Sequence, residues 1–169
     1  PGNQDVNRPY HFGFDEYCLW QLNRTRAQGE RYADPLITQN GEDLPRDPEA
    51  YGPQTFSDYI TDFINRKSGD QPFFIYYPMV LVHNSFVATP DSPEWTDKSV
   101  RYKNDTAYFT DMMEYTDKII GQIENSLKEN GVWENTIFIF TADNGTNRQI
   151  NSGTSYGNIQ GGKGKSINT

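Results

Sequence analysis

A carboxylate and a carboxamide stand side by side in Thr141-Ala142-Asp143-Asn144-Gly145, directly after the apolar run Ile137-Phe138-Ile139-Phe140. Their oxygens are hard donors of the kind that Ca²⁺ and Mg²⁺ take. Asp and Asn before Gly equally suit a plain strand-ending turn, and spacing alone favours the turn. His83 lies in Met79-Val80-Leu81-Val82-His83-Asn84, beyond Pro78, and is one of only 2 histidines. An imidazole there can pass a proton to a leaving group or, when charged, meet an anion, although an isolated histidine at a loop entrance is more often structural. Lys163 sits in Gly161-Gly162-Lys163-Gly164-Lys165-Ser166. Permissive backbone of this kind can aim an ammonium at an anionic substrate; the alternative is a flexible surface loop with two solvated lysines. A nucleotide phosphate loop is excluded, because Ile159 stands where the first Gly would precede Lys165-Ser166, and Lys163 is followed by Gly164 instead of Ser or Thr. His11, in a polar segment, and Cys18, between Tyr17 and Leu19 with no activating base nearby in sequence, carry no catalytic signal.

The elements that must position these residues follow from periodicity. Phe56, Tyr59, Ile60, Phe63 and Ile64 recur at helical spacing with polar residues between them, predicting an amphipathic helix from Thr55 that ends near Gly69. A second helix is predicted from the stripe Tyr108, Met112, Tyr115, Ile119, Ile123 and Leu127, capped by Asn104 or Asp105 and closed by Lys128 and Gly131. Asn40-Gly41 is the strongest turn signal, with short strand character over residues 36–39. The unbroken apolar runs 72–77 and 137–140 predict two buried strands. Joined through a helix, they would be parallel by the right-handed crossover rule. The expected fold is α/β, a mostly parallel sheet flanked by helices, with His83 and Asp143 beyond the carboxyl ends of two strands, where ligands bind. The segment from Asp143 onward is expected to be loop.

Composition sets the outer bounds. The chain has 169 residues, 34% hydrophobic and 14% aromatic, enough for one globular domain with much loop. A net charge of −8 opposes phosphate backbones and anionic membrane surfaces, so neither nucleic acid nor membrane is expected as a partner. A single cysteine, Cys18, excludes an internal disulfide framework and multi-cysteine zinc patterns. The chain begins at Pro1 and stops just after a glycine-rich run, so residues 1–169 are expected to be one fragment truncated at both ends.

Order and context together make the chain resemble the sulfatase family of the alkaline-phosphatase superfamily. Gly13-Phe14-Asp15-Glu16-Tyr17 is similar to the family's G-F-D-x-[YF] stretch. Pro72-Phe73-Phe74-Ile75-Tyr76-Tyr77 leading to His83 resembles its P-F-F-x-Y strand and active-site histidine. Asn135-Thr136-Ile137 through Gly145 resembles its metal strand, and Gly162-Lys163-Gly164 its lysine loop. The resemblance implies a partial alkaline-phosphatase-like fold and a parent enzyme that hydrolyses sulfate esters of aryl or carbohydrate groups. Asp143 and Asn144 would then be ligands of a divalent metal, Ca²⁺ first and Mg²⁺ second. His83 would contact the sulfate ester and protonate the leaving oxygen, and Lys163 would bind the sulfate. The family's formylglycine nucleophile, made from C/S-x-P-S-R, is not present in this chain, where Cys18 is followed by Leu19-Trp20-Gln21-Leu22. The paired aspartates of the family's amino-terminal metal site are absent too, and Ile167-Asn168-Thr169 stands where E-G-G would follow the lysine loop. The fragment alone is therefore expected to be inactive. The resemblance also suggests an extracytoplasmic compartment. A phosphate or phosphonate ester hydrolase of the same superfamily, and a non-catalytic binding or structural module, remain as alternatives.

Overall fold

The computed structural model describes residues 5–20 and 31–164; Lys165, Ser166 and Ile167-Asn168-Thr169 lie outside them. The chain divides into two compact units, one of residues up to Val80 with Asp117–Glu134, the other of Leu81–Thr116 with the residues from Asn135 onward.

The first unit opens with the short helix α1 (Arg8–His11) and an antiparallel sheet in the order β1 (Cys18–Trp20), β2 (Ile37–Gln39), β3 (Glu42–Asp43). Asn40 and Gly41, both at positive φ (49° and 94°), form the predicted turn between β2 and β3. Helix α2 (Gly52–Lys67) starts slightly earlier than its periodicity indicates, because Pro53 suits a first helical turn. It buries Phe56, Ser57, Ile60 and Ile64. Helix α3 (Phe109–Glu129) gives its residues 117–129 to this unit, with Ile119, Ile123 and Leu127 buried. The helices are joined by polar contacts: Gln122 Oε1 accepts from Ser57 Oγ at 3.2 Å and Gln54 Nε2 at 3.0 Å, and Asn65 Oδ1 accepts from Asn130 Nδ2 at 2.7 Å. Gly131 ends α3 at φ 70°, its N–H donating to Lys128 and that of Val132 to Leu127. This doubly bonded left-handed cap satisfies carbonyls that a helix end otherwise leaves open.

The Gly13-Phe14-Asp15-Glu16-Tyr17 stretch is a tie within this unit. Glu16 receives two hydrogen bonds from Arg66, at 2.6 and 3.1 Å, and lies 3.3 Å from Lys67 Nζ. The Arg66 guanidinium, ahead of Lys67, holds the Glu16 carboxyl below its usual range. The Tyr17 N–H donates to Asn40 Oδ1 at 2.8 Å.

The second unit is organised around Phe86, which is fully buried. Its N–H donates to Asn104 Oδ1 at 2.8 Å, its carbonyl accepts from the N–H of Asp105 at 2.9 Å, and its ring meets Phe109 edge-on at 5.5 Å. The two candidate caps thus divide their work: Asn104 holds Phe86, while Asp105 accepts from Ala107 N at the 3-10 turn Thr106–Tyr108 that leads into α3. Ser92 bridges Thr89 and Asp111, and Arg101 is buried with its guanidinium on the Trp95 carbonyl and over the Trp95 ring.

Three expectations are corrected. Neither residues 72–77 nor 137–140 form a strand, and every sheet pairing among the described residues is antiparallel, so no mostly parallel sheet is seen. The apolar runs belong to no regular element and lack a neighbouring ladder among the described residues. Accordingly Phe74 is 75% exposed, Ile137 89% and Ile139 80%. A strand exists through its partner's hydrogen bonds, and apolar composition shows only that the run suits cover. Finally, the segment after Asp143 contains an antiparallel hairpin, β4 (Asn151–Thr154) with β5 (Gly157–Gln160). The overall content, helices with small sheets, is mixed α and β.

Candidate active site

Asp143, Asn144, His83 and Lys163 all belong to the second unit. Asp143 and Asn144 occupy an exposed bend directly after residues 136–142, which belong to no regular element. The hairpin that follows folds the chain back on this bend. Cross-strand pairs run from Thr154↔Gly157 to Asn151↔Gln160, and the pairing continues past the strands: Gly161 N–H donates to Ile150 at 2.8 Å and Lys163 N–H to Thr146 at 2.9 Å. Lys163 is therefore fastened by its main chain two residues beyond Asn144. Arg148 completes the mount, its Nε donating to the Lys163 carbonyl at 2.9 Å. Gly161 is required where it stands. A Cβ there would overlap the carbonyl of Asn147 and lie 2.7 Å from the carbonyl oxygen of Thr146.

The structure thus brings the Lys163 main chain to Thr146, two residues beyond Asn144. It places His83 on a separate exposed loop of the same unit, with Nδ1 2.5 Å from the Asn84 carbonyl oxygen. A carbonyl oxygen can only accept, so Nδ1 is the donor in that contact. Among the described residues no strand leads directly into either His83 or Asp143, so the expected shared sheet edge is not observed.

Asp143 and Asn144 fit part of a hard-cation site, offering one formal negative charge and an amide oxygen on open backbone. No cluster of three or more His, Cys, Asp or Glu suited to a metal occurs among the described residues. Cys18 is no substitute nucleophile: it is half-buried on β1, and burial pushes its thiol up to about 12. The positioning residues Thr146, Arg148 and Gly161 escape a reading of the sequence. The hairpin that carries them is polar and largely exposed on both faces, and its one signal is a pair of short runs separated by Ser155-Tyr156 ahead of Gly157.

The sulfatase family model matches residues 2–166. The chain is 26% identical to human N-acetylgalactosamine-6-sulfatase over 155 residues, covering 85% of this chain and 28% of that protein. It is 27% identical to a sulfatase of Formosa agariphila, covering 83% of the chain and 28% of the relative. It is 29% identical to the uncharacterised sulfatase YdeN of Escherichia coli, covering 82% and 24%. The chain spans about a quarter of the length of these curated relatives. No solved structure matches it significantly. With a family match over nearly its whole length, the chain belongs to the sulfatase family.

Proposed function

We propose that the protein of which this chain forms part is a sulfuric ester hydrolase acting on an aryl or carbohydrate sulfate. The observation that supports the reading is the sulfatase family match over residues 2–166, together with the 2.9 Å main-chain hydrogen bond from Lys163 N–H to the Thr146 carbonyl, two residues beyond Asn144. Lys163 would bind the sulfate and offset its non-bridging oxygens. His83, with Nδ1 occupied by the Asn84 carbonyl, would deliver a proton from Nε2 to the departing oxygen. Asp143 and Asn144 would hold a divalent cation, Ca²⁺ or Mg²⁺, whose contribution when bound is further charge neutralisation on the ester. In this reading the apolar runs 72–77 and 137–140 become strands of a mostly parallel sheet completed by the rest of the longer protein, in an extracytoplasmic compartment.

The test is turnover of an aryl sulfate by the longer protein, with a phosphate monoester as the competing substrate. The sulfate ester should be preferred, and His83→Ala should cost about 10²-fold or more in kcat, the usual contribution of a positioned proton donor. The present chain alone, which holds no C/S-x-P-S-R nucleophile, should show no turnover above background. Preference for the phosphate ester, or full activity in His83→Ala, would remove the assignment.

A further inference from the structure

No charged residue stands between Arg148 and Lys163, in a chain whose composition is 22% charged. The hairpin of β4 and β5 fills that interval, and its register sorts the side chains. Asn151 lies opposite Gln160 and Gly153 opposite Asn158. Residues two apart in a strand share a face, so one face of the hairpin carries three carboxamides around a glycine. All three are exposed, and each carboxamide offers both donors and an acceptor. Tyr156 stands at the tip, 95% exposed. Its backbone is nevertheless held, because Thr154 Oγ1 accepts from Tyr156 N at 3.2 Å and donates to the Gly157 carbonyl at 2.8 Å. A tyrosine ring on a fixed turn offers contact area at little cost in ordering.

We propose that this carboxamide face and Tyr156 form a subsite for an uncharged stretch of carbohydrate, the part of a saccharide chain that neighbours the sulfated residue. Sugar hydroxyls donate and accept as the three carboxamides do, and the C–H face of a sugar ring packs against an aromatic ring. A protein partner would call for an apolar core, whereas Ile159 is the one large apolar side chain on these two strands. A nucleic acid or an anionic lipid surface would call for cations, and the hairpin carries none. The subsite is continuous with the candidate active site, since the same ladder runs on through the bonds of Gly161 to Ile150 and of Lys163 to Thr146. From Gly161 to Gly157 a strand rises about 13 Å, so the strip outreaches a single sugar ring and selects a chain over a monosaccharide. Its place beside a sulfate ester rests on the hydrolase reading; its binding of neutral sugar does not.

The experiment titrates the longer protein with two unsulfated β-linked hexasaccharides, one of glucose and one of galactose, and with the two monosaccharides as controls. At least one hexasaccharide should bind at concentrations where neither monosaccharide does. Tyr156→Ala should weaken that binding about tenfold, while Tyr156→Phe, which keeps the ring, should hold it within about twofold. Asn158→Ala should cost about threefold, the scale of one hydrogen bond. Melting temperatures should match the unaltered protein in all three variants, because both positions are exposed. Failure of both hexasaccharides to bind, equal binding of a monosaccharide, or unchanged binding in Tyr156→Ala would each overturn the proposal, whether or not the protein turns over an aryl sulfate. Hexasaccharide binding that is lost in Tyr156→Ala, in a protein without sulfate ester turnover, would uphold the subsite and remove the hydrolase assignment alone.

Discussion

Glu16 shows how one residue of a family motif can serve the scaffold. Its carboxylate is bonded by Arg66 and faces Lys67, so its folded pKa lies below its ordinary value. The unfolded chain then binds a proton more readily, and stability rises with pH through this range. The contribution is complete above the ordinary glutamate range and is lost as pH falls through the folded value. Glu16→Gln should therefore lower stability at neutral pH by on the order of 1 kcal/mol, the scale of a partly exposed ion-pair network. Thermal melts of both proteins across acidic pH should show the difference closing as the wild-type carboxylate protonates. Cys18 makes the complementary point: burial raises its thiol to about 12, so it stays protonated at neutral pH and chemically quiet.

At the scale of elements, the hairpin of β4 and β5 is the piece that returns the Lys163 main chain to Thr146, and Gly161 is its weak point. Gly161→Ala would drive a methyl into the Thr146–Asn147 backbone, a main-chain obstacle that cannot rotate away. A cost of about 1–3 kcal/mol is expected, as for other overpacked positions. Hydrogen exchange should show the Lys163 amide losing protection while the α2 amides keep theirs. Helices α2 and α3 are legible in the sequence because their buried residues repeat at helical spacing, and because Asp105, Gly131 and the Asn40-Gly41 turn carry side-chain or φ requirements. The hairpin is not. It is held by main-chain bonds, which leave no trace in residue type, and its largely exposed faces show no alternation. The runs 72–77 and 137–140 mislead for a related reason: a sequence states that a run suits burial but does not supply the neighbour. Within the candidate site, Asp143, Asn144, His83 and Lys163 are recognisable from motif context, whereas Thr146, Arg148 and Gly161 emerge only from the ladder between them.

At the scale of the molecule, two surface properties oppose each other. A charge of −8 favours dispersal, while the uncharged run 137–140 exposes Ile137, Ile139 and Phe140 outside any strand. Short, apolar, proline-free segments of this kind pair readily with copies of themselves. The isolated chain should therefore self-associate as its concentration rises, and the double variant Ile137→Lys with Ile139→Lys should remain monomeric in sedimentation velocity. Among the described residues no helix is long and apolar enough to cross a membrane. The main-chain fastening of Lys163 has a consequence for how such a centre can be altered over evolutionary time. Since Thr146 and Arg148 grip the peptide group and not the ammonium, residue 163 is an interchangeable head on a fixed mount. Side chains can be exchanged there without first having to reinvent the loop.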